Sequence, residues 1–229
     1  MSEELQDPVL DHDIMMEGDF RIKEIALFAY NGKRYDITRL RIKLQIFEDI
    51  FRNFIGGEIT LQDNVDLPHL MPLIGEERIK ITFTRPGITR DNRVEYLEDV
   101  SYEFRVYKMG ERGNIKDRHQ LYTLYFVSAD YLRNFKTKVL KSYVDMPYSL
   151  MAEKIFKKKL LTTKESNIEP TKHAHKLAIT NITPLTALNM IASRSESAEG
   201  NGCLYLCFED HDKWNFCTAF EFPAESISS

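Results

Sequence analysis

Alternation of apolar and charged residues constrains this chain more than any other feature. Residues 34–46, RYDITRLRIKLQI, interleave Ile37, Leu40, Ile42, Leu44 and Ile46 with Arg39, Arg41, Lys43 and Gln45. Side chains of an extended strand point to opposite faces in turn, so the pattern predicts one long strand with a buried face and a wet face. Residues 20–30 alternate in the same way, and Asn31-Gly32 between the two runs is a hairpin signal, because both residues tolerate positive φ. Further strands read at 58–62, 77–85, 99–109 and 119–128, with residues 64–73 as a helical turn or loop. Pro86-Gly87 is expected to end the 77–85 strand, residues 88–97 read as a polar loop, and Gly110 and Gly113 mark a hairpin loop. Strands at hairpin spacing, with no long helix between them, predict an antiparallel barrel or sandwich over the first 130 residues.

The pattern changes near Ala129. Residues 147–161 place Leu150, Ile155, Leu160 and Leu161 near one face behind Pro147, which predicts an amphipathic helix. Thr183 as cap and Pro184 at the first helical position open a second one, with Leu185, Leu188, Ile191 and Ala192 at helical spacing. Residues 203–208 and 213–222 form a last hairpin around Asp210-His211-Asp212. The expected organisation is an acidic N-terminal tail (1–19), an antiparallel β-barrel domain (20–130), a small α+β domain with two helices (131–200) and a hairpin (201–229). The fold class is α+β, mainly antiparallel β.

At 229 residues, with 43% hydrophobic and 29% charged, a chain buries roughly 70% of its unfolded surface and needs no staple. Three cysteines make no disulfide scaffold, and the odd count suits a reducing compartment. No apolar run approaches the ~20 residues that span a bilayer, so no membrane insertion by this chain is expected. Met1–Asp19 holds seven acidic residues and no Lys or Arg, unlike a secretory signal. The net charge of −4 divides unevenly: residues 133–176 carry 11 basic and 4 acidic side chains (+7), the rest 20 and 31 (−11). Lys154, Lys157, Lys158 and Lys159 are therefore candidates for contact with polyanions or acidic partners. The plainer reading makes them the solvated face of one helix, since no aromatic residues interleave with them for base stacking.

Motifs of catalysis are missing. There is no GxGxxG, no P-loop, no GxSxG elbow and no HExxH pair. His173 and His175 lack further ligands at metal spacing and read as a loop. Cys203 and Cys207 in CLYLC sit about 13 Å apart along a strand, too far to share a zinc, and read with Tyr205 as core positions; Cys217 falls on the paired strand. Asp-His-Asp at 11–13 and at 210–212 reads as solvated tail and hairpin turn. No catalytic residue, metal or cofactor is implied, and an enzyme is not expected.

Four stretches in order carry a family resemblance. They are Leu44 to Leu61 with its turn Phe47-Glu48-Asp49-Ile50-Phe51; Leu67, Leu70 and Pro72 to Glu77 before the strand Ile79 to Phe83; Tyr125 to Ser128 followed by a polar turn, Lys136, Lys138, Ser142-Tyr143 and the 147–161 helix; and Ile182 to Leu188 with Ala192-Ser193-Arg194, then Leu204-Tyr205 to Phe216. Together they resemble the central baseplate hub protein of contractile-tailed phages, related to the hub part of type VI secretion spike proteins. The resemblance runs through residues 20–222.

It implies a structural virion protein of the tail baseplate, made in the host bacterial cytoplasm. Such hubs are homotrimers whose tube-like barrels ring the DNA channel and join tail tube to spike. The implied partners are its own copies, a spike protein, and tube and baseplate neighbours, with DNA passing unbound. Family members run longer, with a second barrel, so the hairpin at 201–229 is expected to begin that barrel and the chain to be part of a larger subunit. Candidate interface residues are Phe47, Glu48, Asp49 and Phe51 in the turn, at the barrel edge or a subunit contact, and the outward bases Arg39, Arg41 and Lys43. Rival readings are a tail-associated cell-wall hydrolase and a nucleic-acid binder acting through 133–176.

Overall fold

The structure, a computed structural model, describes residues 20–71, 75, 77–88, 94–116, 119–200 and 202–220. The acidic segment 1–19, with Asp11-His12-Asp13, lies outside the described residues, as do 72–74, 76 and 221–229.

Alternation over the first half becomes one eight-stranded antiparallel sheet. Its strands are β1 (Arg21–Phe28), β2 (Arg34–Asp36), β3 (Arg41–Phe47), β4 (Gly56–Asp63), β5 (Arg78–Ile88), β6 (Val94–Met109), β7 (Gly113–Lys116) and β8 (His119–Val127), with the short helix α1 (Leu67–Leu70) after β4. The hydrogen-bonded order is β2-β1-β5-β6-β8-β4-β3, with β7 on β8. The sheet curls as a half-barrel around Ile25, Ile59, Ile79, Ile81, Leu124 and Phe126, all buried. Burying each such side chain stabilises the fold by roughly 1.5–3 kcal/mol.

The expected single strand over 34–46 is broken in two. A 3-10 turn, Thr38–Leu40, separates β2 from β3. These two strands are the opposite ends of the sheet order, so the chain must cross the mouth of the half-barrel between them. The crossing is anchored. Ile37 is buried and donates its N–H to Ile25 O at 2.9 Å, while Ile25 N–H donates to Thr38 Oγ1 at 2.8 Å. A second departure falls at Ile42. Arg41 pairs with Leu61 and Lys43 with Thr60, leaving Ile42 as the extra residue of a β-bulge. It points to solvent, 56% exposed, where strict alternation would bury it.

Gly56 and Gly57 open β4, which begins two residues ahead of the expected 58–62 strand. At Gly57 a Cβ would stand 2.2 Å from Gln45 O and 2.7 Å from the Phe126 ring, so only glycine lets that ring cross the backbone. Gly32, φ +82°, makes the first hairpin turn. Pro86-Gly87 does not end β5, which pairs with β6 as far as Ile88 opposite Val94. β1 pairs with β5 only as far as Thr84, while β6 continues beside β5, with Leu97 opposite Pro86.

A second core lies beyond Val127. It is built from α2 (Ala129–Lys136), β9 (Val139–Met146), α3 (Tyr148–Ile155), β10 (Glu165–Ile168), β11 (His175–Ile182), α4 (Pro184–Ala192), β12 (Tyr205–Glu209) and β13 (Lys213–Thr218). Strands β10-β13-β12 form one small sheet, with β10 and β13 parallel, and β11-β9 form a ribbon. Helix α2 replaces the polar turn expected after Ser128. Helix α3 runs on as a π-helical turn, Phe156–Leu160, and buries Met151, Ala152, Ile155, Phe156 and Leu160. Of the expected core face, Ile155 and Leu160 are buried, whereas Leu150 and Leu161 are exposed and Met151 and Phe156 are buried in addition. Helix α4 follows expectation, with Leu185, Leu188, Ile191 and Ala192 buried. Thr183 stands at its cap position, but its hydroxyl bonds Thr186 Oγ1 at 2.8 Å instead of a backbone N–H. The last hairpin is part of this core, where Trp214 and Phe216 pack with α3 and α4. Cys207 and Cys217 are buried, whereas Cys203 is exposed ahead of β12, against its expected core position; all three are free thiols. Overall the architecture is α+β, mainly antiparallel β.

Candidate interaction surfaces

The residues singled out in the β3–β4 connection divide into two groups. One group holds the loop down. Asn53 Nδ2 donates to Asn189 Oδ1 at 2.8 Å and to Cys207 O at 2.6 Å, and Asn189 returns a bond to Asn53 Oδ1 at 2.7 Å. Phe54 stacks on Tyr131 at 3.9 Å between ring centroids. Ile55 N–H reaches Glu209 Oε2 at 3.4 Å. Glu48 accepts the Tyr102 hydroxyl proton at 2.6 Å. These contacts run from the curled sheet to α2, α4 and β12, so the loop joins the two cores. The other group faces out: Phe47 and Phe51 are 50% and 76% exposed. Asp49 accepts the Phe51 N–H at 2.9 Å and pairs with Arg52 at 3.4 Å, which sets the tight turn.

The junction is continued by the β12–β13 turn. Asp210 Oδ1 accepts the N–H groups of Asp212 (2.9 Å) and Lys213 (2.7 Å), the structural role its sequence context suggests. His211 then lies edge-on to Tyr102 at 4.5 Å, with Nε2 3.0 Å from Ser101 O. Burial first, and then the Glu48 carboxylate, hold the Tyr102 phenol well above its ordinary pKa. Behind this contact sits a buried polar set. Glu209 meets Lys164 at 3.0 Å, and burial pushes its carboxyl above the usual glutamate range against the pull of Lys164 and Ser128. Trp214 Nε1 donates to Asp130 Oδ2 at 2.9 Å, and Arg133 pairs with Asp130 at 3.1 Å. Sequence reading did not single out Asn53, Phe54, Tyr102 or Glu209, since these contacts join residues 54 to 154 positions apart, and no local pattern marks them.

The expected basic positions do not form a single row. Lys43 is paired across the ladder with Glu58 at 3.0 Å. Arg39 is exposed on the 3-10 turn and Arg41 is half-buried at the start of β3. Beyond β3 no further strand pairs among the described residues. The solvent face of the sheet is a ladder of compensated polar pairs: Lys23 with Asp99 at 2.6 Å, Arg78 with Glu103 at 3.2 Å, Thr82 with Ser101 at 2.9 Å, Thr60 with Thr123 at 3.0 Å, and Arg34 with Glu24. Lys154, Lys157, Lys158 and Lys159 lie on α3 and its π turn, in the second core and apart from the β3 edge. Lys157 pairs with Glu153 at 2.5 Å and Lys154 Nζ lies 3.4 Å from Met146 Sδ. Among the described residues no group of three metal-ligating side chains converges. His175 stacks on Tyr148 at 4.2 Å. No helix among the described residues is long and apolar enough to cross a membrane.

No protein-family model matches the chain, and no curated protein sequence does. Its fold does match solved structures. The 43 kDa tail protein of prophage MuSo2 from Shewanella oneidensis superposes with a TM-score of 0.56 at 12% identity, over 84% of this chain and 52% of that one. The tail protein from Neisseria meningitidis gives a TM-score of 0.50 at 10% identity, over 86% and 50%. The chain spans about half the length of these structures. At such identities the likeness is one of fold.

Proposed function

We propose that this chain is a non-enzymatic structural component of a phage-type tail, of the hub class that joins tail tube to spike. The observation that carries the reading is the curled antiparallel sheet with ion pairs on its solvent face and a β3 edge that pairs no further strand among the described residues, on a fold shared with tail proteins. Residues 20–130 act as the tube-like unit, and the α+β unit beside it includes the β12–β13 hairpin, whose Trp214 and Phe216 pack with α3 and α4. Three copies surround the channel. The β3 edge, with Arg39, Arg41 and Lys43, and the turn Phe47, Glu48, Asp49 and Phe51 form the contact between copies, because an open edge and exposed aromatics both gain from a neighbour. DNA slides past such a ring without sticking. Pairs such as Lys23 with Asp99 and Arg78 with Glu103 neutralise part of the positive charge that would hold phosphates.

Mass measurement in solution, alone and with a co-expressed spike protein, tests this. A three-fold assembly that takes up the spike supports it, and a strict monomer that joins no tail protein overturns it. Phe47→Glu with Phe51→Glu should abolish assembly without moving the melting temperature, since both rings face solvent.

A further inference from the structure

Basic residues are concentrated in the first half of the second core. Residues 129–168 hold nine Lys and Arg against four Asp and Glu. Of those four acids, Asp130 is buried between Trp214 and Arg133, and Glu153 pairs with Lys157, while Asp145 and Glu165 are exposed. On the sheet the bases are dispersed instead. Lys80 stands opposite Glu103 in register, and Lys108 lies singly over the Tyr125 ring.

Helix geometry turns part of this charge outward. Phe156 and Leu160 are buried on the π turn, so Lys157 and Lys158 between them are exposed and Lys159 is half-buried. Helix α2 packs against that turn. Arg133 on α2 donates to Leu161 O at 2.5 Å, which ties the C-terminal turns of the two helices together. Lys136 follows three residues later on the same side of α2 and is exposed. Leu161, at φ +52°, is 60% exposed, so an aliphatic side chain stands at the rim of the basic end. Lys136 and Lys158 have no acid against them among the described residues.

A segment of matching chemistry belongs to the same chain. Residues 1–19 carry seven acidic residues and no Lys or Arg, with Leu5, Val9, Leu10 and Ile14 among them. They join the sheet at Phe20, which lies edge-on to Phe83 at 6.0 Å. Phe83 stacks on Tyr102 at 5.9 Å, and Tyr102 meets His211 of the second core at 4.5 Å. Beside His211, Asp210 O accepts Lys164 Nζ at 2.7 Å, three residues beyond Leu161. Nineteen residues extend to about 60 Å, longer than this path of contacts. A tether of that kind holds its segment at an effective concentration on the order of mM. We infer that the acidic segment 1–19 docks on the basic end of its own chain, against Lys136, Lys157 and Lys158 with an apolar side chain on Leu161, and shields that end from other polyanions. Opposite charge selects this occupant over a basic or neutral segment. The site is separate from the β3 edge, so its failure would leave the hub reading standing, and failure of assembly would leave this site standing.

The test is carbodiimide cross-linking of the full chain, which joins a carboxylate to an amine only where the two touch, read by mass spectrometry. The first tryptic site is Arg21, so one peptide keeps all seven acids. Cross-links from it to Lys136, Lys157 or Lys158 should be at least ~10-fold more abundant than those to exposed Lys80 and Lys108, and should fade as salt shortens the screening length from about 10 Å at 0.1 M to about 3 Å at 1 M. Lys157→Gln with Lys158→Gln should also lower the Lys136 cross-links; both lysines are exposed, so an unchanged melting temperature verifies the fold. Mixed with an isotopically heavy copy, the chain should give cross-links within one copy only. Shielding is read by anisotropy of a short labelled DNA duplex, whose binding Glu3→Gln, Glu4→Gln, Asp7→Asn, Asp11→Asn and Asp13→Asn together should tighten at least ~10-fold at low salt. Cross-links spread evenly over the exposed lysines, cross-links between light and heavy copies, no cross-links, or DNA binding unmoved by the amide variant overturns the proposal.

Discussion

Gly57→Ala is the sharpest test of how the sheet is packed. The added Cβ would meet Gln45 O at 2.2 Å and Phe126 Cε2 and Cζ at 2.7 Å, where real contacts essentially never fall below 3.0 Å. The first of these neighbours is backbone, in the β3 strand whose Ile46 pairs with Gly57. It can retreat only by pulling the β3–β4 ladder apart. The second is the buried Phe126 ring, which must leave its rotamer against Phe104. Overpacking of this kind costs typically 1–3 kcal/mol, and with both neighbours constrained the expected loss is about 3 kcal/mol, or roughly 6–12 °C in melting temperature for a chain of this size. Gly32→Ala is the control: it suffers only its φ of +82° with nothing within 4 Å, so about 1 kcal/mol is expected. Adding Phe126→Leu to Gly57→Ala should recover part of the loss and leave the Gln45 clash in place. Urea unfolding followed by the single tryptophan measures all three. If Gly57→Ala costs no more than Gly32→Ala, the argument about strand β4 is wrong.

Other perturbations reach the second core and the junction. Trp214→Phe removes a fully buried indole and leaves Asp130 Oδ2 without its donor, so thermal denaturation should show a loss of about 3 kcal/mol; a loss under about 1 kcal/mol would contradict the hydrogen bond's role. Burial raises the Glu169 carboxyl, but Ser197, Thr218 and Tyr205 hydrogen bonds outweigh it and hold the group below its usual pKa. Its stabilisation is therefore present above the unfolded value near 4.3 and lost as pH falls through the folded value, and Glu169→Gln should flatten stability against pH below about 4.3. Glu209 is shifted the other way, so its contribution is fully present below about 4.3 and lost as pH rises through its folded value. Glu209→Gln should remove that decline, and urea midpoints from pH 3 to 7 read both effects. Asn53→Ala frees the β3–β4 loop from Asn189 and Cys207 O, so trypsin should cut at Arg52 faster while the melting temperature moves only a few degrees. Unchanged cleavage would mean the loop is held elsewhere.

Much of the fold was legible because strand alternation and helix spacing are local. β1, most of β5, β6 and β8, and helix α4 follow directly from which residues repeat at two or at three and four. The failures share one cause. The 34–46 run reads as one strand because its residues cannot show that the sheet's two ends lie on either side of it; the crossing at Ile37–Leu40 is imposed by the curl. Pro86 reads as a stop because nothing local shows that β6 continues beside β5 past it, with Leu97 opposite Pro86. Helix α3 kept its place and half its expected face: Ile155 and Leu160 are buried, and Met151 and Phe156 join them in the core instead of Leu150 and Leu161.

The candidate surfaces divide along the same line. The turn at Phe47–Phe51 and the lysines of α3 are visible as sequence, because exposed aromatics and charge runs are properties of single segments. What holds that turn, Asn53 to Asn189 and Glu48 to Tyr102, is visible only when residues 54 to 136 positions apart meet. Sequence alone determined that the chain alternates into an antiparallel β unit followed by an α+β unit, through the periodicity of its apolar residues. Only tertiary structure decided where the sheet opens, which lysines lack an acid, and which apolar residues stay outside. Those depend on distances between segments, and neighbours along the chain carry no record of them.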